Sequence, residues 1–285
     1  MIYLLFSILF SSSLLIFFKL FEIYKVNSVL AIAINYLVAA FVGLFFIQPV
    51  PLSGTDINWI AISSCLGFMF SLIFNLSKMT TQKVGMGITS VAMKLGVVFP
   101  VLIGILFYSE DFQWINYVGL LLGFSSIYFI NKSSKDVDYK QDKLILPLLV
   151  WFGSGLCDSA VQLIQKLFPI PASNGTFSFT AFLSAATSSI AFVLFKRMKW
   201  DIKSLIGGIA LGIPNYFSIY FLVKALQEMQ KEFYMESSSL FMVNNLSIVI
   251  LSVGIGLVLF REKLDRLKIF GLFLALVSLY LINYK

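Results

Sequence analysis

Histidine is absent from this sequence, and charged residues are scarce. Asp, Glu, Lys and Arg together make up 12% of the 285 residues, against about 25% in soluble globular domains. Histidine is the most common metal ligand and the usual proton carrier near neutral pH. We therefore predict neither a metal site nor a bound cofactor.

Cysteine is nearly absent as well. The two cysteines, Cys65 and Cys157, each lie within an apolar run. Because a structural disulfide forms in an oxidising, water-accessible setting, we predict that both are buried as small hydrophobic side chains. Asp158 is the only acidic residue deep within an apolar run, so paired carboxylates cannot be assembled there. Without histidine, paired acids or a nucleophile beside a base, the sequence does not indicate an enzyme.

Apolar residues dominate the composition. They make up 59% of the chain, 30 residues are Phe, and the mean hydropathy is +0.92, which is typical of a membrane protein. The net charge is +7, but the basic residues lie between the apolar runs instead of forming one patch. This distribution favours contact with a lipid bilayer over nucleic acid. A spanning helix needs about 20 apolar residues, and ten such runs occur, at residues 2–24, 28–47, 57–78, 84–108, 112–130, 144–167, 176–195, 203–224, 234–260 and 266–283.

The two halves of the chain resemble each other. The segment "EDFQWINYVGLLLGFSSIYFIN" begins at Glu110, and "EKLDRLKIFGLFLALVSLYLIN" begins at Glu262. At a constant offset of 152 residues, eight of the 22 aligned pairs are identical. We therefore predict a first five-helix repeat at 1–131, a charged linker at 132–143 and a second five-helix repeat at 144–285.

Five is an odd number, so the second repeat would enter the membrane from the opposite side. The predicted fold is an all-α polytopic membrane protein, with ten transmembrane helices in two inverted five-helix repeats. The loops after spans 1, 3, 5, 7 and 9 carry 16 of the 21 Lys and Arg residues, and by the positive-inside rule these loops face the cytoplasm. We predict a monomer or homodimer in the inner (cytoplasmic) membrane, with both termini extracytoplasmic and the N-terminal run retained as a helix.

A family resemblance rests on the end of the fourth helix in each half. The segments "FPVLIGILFYSE" at Phe99–Glu110 and "ILSVGIGLVLFREKL" at Ile250–Leu264 are apolar runs closed by a glutamate. With the five-plus-five arrangement, they resemble EamA-type members of the drug/metabolite transporter superfamily. The resemblance implies a secondary transporter that moves small metabolites by alternating access, with a cavity lined mainly by helices 1, 3, 4, 6, 8 and 9. The chain departs from the family at Ser109 and Arg261, where glycine is usual, and in its charge-based topology, since many members keep both termini in the cytoplasm.

Lys94 is the first candidate for a functional residue. It lies near the middle of the fourth run, where inserting a lysine costs about 2.5–3.5 kcal/mol. We predict that it faces a wet cavity and binds an anionic group of the cargo, such as a carboxylate or phosphate. Asp158, near the centre of the sixth run, is its obvious counter-charge. The two residues are predicted to approach each other across the repeat interface, where cargo or a proton would alter their pairing; the alternative is a static pair that holds the halves together.

Uncharged polar residues form a second tier of candidates. Asn75, Asn215, Tyr216, Asn244 and Asn245 lie on runs that would line the cavity. Amides both donate and accept hydrogen bonds, so they suit amino-acid or sugar-like cargo. Alternatively, they bond across helices and only strengthen packing, at about 0.6 kcal/mol each.

These residues favour a secondary transporter for a small polar metabolite, such as an amino acid, a similar zwitterion or an organic anion. Coupling to protons through Asp158 is one version of this hypothesis. A multidrug or toxic-compound exporter of the same superfamily is an alternative, and a channel or membrane scaffold is an alternative of another class. A scaffold gives no reason for a lysine at mid-membrane depth. Glu110 and Glu262 are expected to fix turns.

Overall fold

The computed structural model describes residues 2–46, 57–99, 102–103, 113–131, 142–167, 174–233, 237–262 and 265–282. Within these ranges the chain forms the ten α-helices given below, further helical residues at 98–99 and 102–103, and no β-strand, so the predicted all-α class is confirmed. The helices are α1 (Ile2–Ile23), α2 (Ser28–Phe46), α3 (Ile57–Lys83), α4 (Met86–Leu95), α5 (Trp114–Asn131), α6 (Asp142–Leu167), α7 (Asn174–Phe195), α8 (Ile202–Phe233), α9 (Ser237–Val258) and α10 (Arg266–Ile282). Most of the predicted linker lies outside the described residues.

The surface of the helix bundle is unusually apolar. Large hydrophobic side chains stand on the outside, among them Phe195 and Val258 with exposed fractions of 81% and 76%. Three helical segments are long and apolar enough to cross a membrane, judged by length and composition: Ile2–Ile23, Ser28–Phe45 and Ile202–Leu222. Both observations are compatible with a membrane protein.

One sequence prediction about burial is wrong. Cys157 is buried, but Cys65 is exposed on α3. Apolar character alone indicates that a residue avoids water, and in a membrane protein an outward-facing position satisfies that preference as well as a core position does. Both thiols are free.

Short polar residues determine where α8 and α10 begin. The carboxylate of Asp201 accepts the backbone N–H of Ser204 at 2.8 Å and its hydroxyl at 2.7 Å. Asp265 likewise accepts the N–H of Lys268 at 2.8 Å. These are N-caps, which satisfy amide groups that the first helical turn leaves without partners. The hydrogen bonds from the Ser204 hydroxyl and amide also hold the pKa of Asp201 below its usual range.

Three helices are followed by a basic residue in the left-handed conformation. Lys25 follows α1 with a φ of 53°, Arg197 follows α7 with a φ of 49°, and Arg261 follows α9 with a φ of 50°. After Lys25, the N–H of Val26 donates to the carbonyl of Phe21 at 2.9 Å, which is the Schellman pattern of helix termination. Glycine usually fills this position. The basic residue instead places a positive charge at the negative end of the helix dipole.

The last helices of the two halves pack against each other in opposite directions. Gly119 of α5 lies against Ile282 of α10, and Gly123 lies against Ser278. The Ser278 hydroxyl donates to the Gly119 carbonyl at 2.7 Å. Residue numbers therefore rise along α5 while they fall along α10, so the two helices are antiparallel.

The second helices of the two halves are also antiparallel neighbours. Near one end of α2, Gly43 approaches Phe179 of α7, and near the other end Leu30 packs with Val193. The other contacts between the halves occur in corresponding pairs. Helix α2 contacts α8 and α7 contacts α3; likewise, α1 contacts α9 and α6 contacts α4. Each second pair is obtained from the first by exchanging every helix for the helix at the same position in the other half.

One end of the bundle, which we call the basic end, is formed by the ends of α1, α3, α7 and α9. Lys19 near the end of α1 donates to the carbonyl of Gln82 on α3 and lies 3.8 Å from Glu262, just after α9. The N–H of Asn27 donates to Ser204 at the start of α8, at 3.1 Å. The described basic residues there include Lys19, Lys25, Lys83, Lys196, Arg197, Lys199, Lys203, Arg261, Arg266 and Lys268. The loops predicted to share one side therefore do so in this part of the chain; which side faces the cytoplasm stays a prediction.

Candidate functional site

A cavity of about 250 Å³ lies between the two halves. It is lined by residues from α1, α3, α4, α6, α8 and α9, together with Tyr36 of α2 and Phe182 of α7. Its described lining includes no residue of α5 or α10. Most of the wall is apolar, and its aromatic residues are Phe18, Tyr36, Phe70, Phe74 and Phe182.

Lys94 lines this cavity at a point where its helix is interrupted. The sequence predicts an unbroken run to residue 108, but α4 ends at Leu95. The carbonyl oxygens of Met93 and Lys94 accept hydrogen bonds from the residues three positions later, at 3.3 Å in both cases. A tightened turn of this kind leaves carbonyl groups without the partners that a continuing α-helix would supply.

Helix α6 donates two side-chain hydrogen bonds to carbonyl groups at this turn. The hydroxyl of Ser154 donates to the Met93 carbonyl at 3.2 Å, and the indole N–H of Trp151 donates to the Leu95 carbonyl at 3.1 Å. These two bonds join the first half of the chain to the second on both sides of Lys94. They fix the backbone that carries the lysine.

Asp158 lines the same cavity on α6. It follows Ser154 by four residues, so it lies about 6 Å further along α6 than the serine that bonds to the Met93 carbonyl. Lys94 and Asp158 keep accessible surface because they face the cavity, and no ion pair within 4.0 Å joins them. The static pair considered from the sequence is not formed here, and a gap separates the opposite charges.

Two of the predicted amides also line the cavity. Asn215 of α8 is buried and donates to Asn35 at 3.1 Å. Asn244 of α9 is buried and its side-chain oxygen accepts the hydroxyl of Ser7 at 3.3 Å. Each amide thus bonds across helices while it borders the cavity, so the binding and packing interpretations both describe part of its role.

The other three predicted residues lie away from the cavity lining. Asn75 donates back to the carbonyl of Ser71, one turn earlier on α3, at 2.9 Å. Tyr216 is buried in the core, where its ring lies near Gly43. Asn245 is half-buried on α9. The structure therefore brings four of the seven predicted residues together.

Sequence reasoning missed several serines at this site. Ser77 lines the cavity, is fully buried, and its hydroxyl has no hydrogen-bond partner. Ser90 and Ser154 also line the cavity. Ser90 precedes Lys94 by four positions, and Ser154 precedes Asp158 by four. Residues four apart share one helix face. That spacing was the signal that could have identified them.

The crossing of α4 and α6 depends on two glycines. A Cβ atom added to Gly155 would lie 2.8 Å from the Gly96 carbonyl oxygen and would collide with the Phe99 ring. We expect Gly155→Ala to force the helices apart and to destabilise the protein by about 1–3 kcal/mol, as overpacking does. Gly254→Ala is the matched control, because a Cβ atom added there would have no neighbour within 4 Å. Thermal unfolding in detergent should show a loss for the first variant alone; equal midpoints would contradict the close contact.

Comparisons with known proteins support the fold. No protein-family model matches the chain. An uncharacterized protein of Haemophilus influenzae is 27% identical over 266 residues, which cover 89% of this chain and 88% of that protein. A solved structure described as "Crystal structure of protein" has a TM-score of 0.64 at 14% identity and covers 98% of this chain and 94% of its own. This likeness shows that the fold is shared over nearly the whole chain.

Proposed function

We propose that this protein is a secondary transporter of the inner membrane that moves a small polar metabolite by alternating access. The cargo would be an amino acid or a similar zwitterion, with an organic anion as the next candidate. The protein would cross the membrane ten times as two inverted five-helix repeats, as in EamA-type drug/metabolite transporters. Its binding site would be the cavity that contains Lys94, Asp158, Asn215 and Asn244.

One observation carries this proposal. Lys94 and Asp158 line one cavity between the two halves, and they are not joined by an ion pair. Charges at this depth are costly to insert unless they are hydrated or paired, so two opposite charges that border one cavity without pairing suit a ligand that brings its own charges. A zwitterion would present its carboxylate to Lys94 and its ammonium group to Asp158, completing both pairs without adding net charge.

The packing of the helices supports the inverted repeat. Equivalent helices of the two halves, α5 with α10 and α2 with α7, are antiparallel neighbours. Two copies related by a twofold axis in the membrane plane would pack in this way. The interruption of α4 beside the binding residues also suits a transporter, because broken helices commonly border transport sites.

The alternatives differ in what they require of the cavity. A multidrug exporter is favoured by the aromatic wall, but a cationic drug would meet Lys94 as a like charge. A channel would normally present a ring of like charges or exposed carbonyl groups, and Lys94 with Asp158 is a pair of opposite sign. The following experiment distinguishes both alternatives from the proposed transporter.

The purified protein reconstituted in liposomes provides the test. We expect saturable uptake of at least one compound from a panel of labelled amino acids, other zwitterions and organic anions. Uptake should be accelerated when the same compound is preloaded inside, because a carrier exchanges solute across one alternating site. Protein-free liposomes are the control. Linear, non-saturable flux without this acceleration would indicate a channel, and uptake restricted to cationic drugs would favour the exporter.

A further inference from the structure

The carboxylate of Glu262 lies at the centre of the basic end. Its Oε1 atom accepts the backbone N–H of Met86, the first residue of α4, at 2.7 Å, and it lies 3.8 Å from the ammonium nitrogen of Lys19 on α1. Both side chains are shielded, with exposed fractions of 15% and 17%. A single carboxylate from the second half of the chain therefore contacts two helices of the first half.

Two glycines leave the space that this carboxylate occupies. A Cβ atom would lie 3.0 Å from its Oε2 atom if added to Gly85, and 2.7 Å if added to Gly256. Gly85 also has a φ of 133°, in the region that favours glycine. The Glu262 N–H donates to the Gly256 carbonyl at 3.0 Å, which holds the turn after α9 in place. The two glycines and this turn therefore form a pocket that fits the Glu262 side chain.

Buried side chains border the cavity on the side of this contact. Phe18, Ser77 and Ser90 line the cavity towards the basic end, and each is at most 1% exposed. Beyond them, the Gln82 side chain donates to the Phe18 carbonyl at 2.9 Å and joins α3 to α1. Asp158, by contrast, keeps an exposed side chain in the same cavity.

We propose that Glu262 is a positioning residue that holds α4, and with it Lys94, against α1 and keeps the cavity closed at the basic end. This inference rests on the proposed transport function and extends it by assigning the contact that must break for that end to open. Because Glu262 belongs to the second half and its partners Met86 and Lys19 to the first, any rocking of one half against the other separates them. Helix α4 then moves together with its lysine.

A second acid provides an internal comparison. Glu22 lies 3.6 Å from the Lys19 ammonium nitrogen, slightly closer than Glu262, but it belongs to the same helix as Lys19. Its pairing with Lys19 therefore joins no two helices. Removing the Glu22 charge changes the charge around Lys19 without releasing α4, so Glu22→Gln separates an electrostatic effect from the opening of the cavity.

Labelling of Cys157 can test this role without knowledge of the cargo. Cys157 lines the cavity, and Cys65→Ser leaves it as the single thiol. The measured quantity is the rate at which Cys157 reacts with a membrane-impermeant thiol reagent added on the side of the basic end. That side is identified separately by labelling a Lys25→Cys variant. We expect Glu262→Gln and Lys19→Met to accelerate the reaction at least about fivefold, the lower end of typical couplings between two states. Glu22→Gln should leave the rate unchanged.

Several outcomes would overturn the assignment. Unchanged rates for Glu262→Gln and Lys19→Met would do so, as would equal acceleration by Glu22→Gln. Faster labelling from both sides would indicate general loosening of the fold and would also reject the role. A Ser11→Cys reporter in a background without Cys157 repeats the measurement at a second cavity position. If Cys157 of the parent protein reacts equally from both sides, the proposed alternating access is wrong. If it reacts from one side only and Glu262→Gln does not change the rate, only the role of Glu262 is wrong.

Discussion

Lys94→Met is expected to lower the affinity for the transported solute by roughly 30-fold or more. Removing one partner of a buried, hydrogen-bonded charge pair costs about 2–5 kcal/mol, partly because the other charge is left without compensation. In the proposed complex that other charge is the carboxylate of the solute. Methionine keeps the length of the side chain and its apolar stem, so the α4 interruption should persist. The measurement is the concentration dependence of uptake in proteoliposomes, with binding by calorimetry as a second readout.

Lys78→Met is the matched control for this prediction. Lys78 is a partly buried lysine on α3 that lies outside the cavity lining. Its replacement removes the same charge at a similar cost in hydration but leaves the site intact, so affinity should change less than about twofold. Equal losses for both variants would mean that Lys94 acts through the net charge of the bundle instead of through contact with the solute.

The helical architecture was largely predictable from the sequence. Each of the ten helices overlaps one of the ten apolar runs, because a long apolar run favours a helix that hides its backbone polar groups. The interruption of α4 was not predictable. The run "ITSVAMKLGVVFPVLIGILF" continues past Leu95, and the turn there is stabilised by Ser154 and Trp151, which lie about 60 residues away in sequence. Only the folded structure brings those donors to the break.

The helices that carry the candidate residues were predictable, but the direction in which each side chain points was not. A polar residue within an apolar run indicates that it avoids lipid, yet it does not indicate which neighbour it faces. Adjacent helical residues point about 100° apart, so Asn215 and Tyr216 cannot both face the cavity directly. Of each adjacent pair, the structure places Asn215 and Asn244 in the lining, while Tyr216 and Asn245 lie elsewhere.

The role of Glu262 shows a similar limit. The repeat aligns it with Glu110, and both were expected to fix turns. Glu110 lies outside the described residues, but Glu262 does contact its own turn through Gly256. Its contacts with Met86 and Lys19 join residues far apart in sequence, and no local pattern specifies them. A helix that begins at Met86 needs an acceptor for its first amide groups, and the chain provides that acceptor from the other half.

Asp158→Asn is expected to separate the two roles that an acid in this cavity can have. Asparagine matches the size of aspartate but carries no charge and does not exchange a proton near neutral pH. If Asp158 binds the ammonium group of a zwitterion, affinity for zwitterions should fall roughly 30-fold or more. Affinity for organic anions, which need only Lys94, should stay within about threefold of the parent value. If Asp158 also carries the coupling proton, accumulation driven by a pH gradient should be lost for every solute.

Uptake with and without an imposed pH gradient measures both effects in the same proteoliposomes. Asp201→Asn is the control, because Asp201 caps α8 outside the cavity and asparagine is an equally good cap. A variant of Asp158 that accumulates solute normally under a pH gradient would exclude the proton role while leaving the binding role open. Equal losses for zwitterions and anions would show instead that Asp158 maintains Lys94 in its charged, accessible state across the gap between them. Either result would show how Lys94 and Asp158 each contribute to binding of the solute.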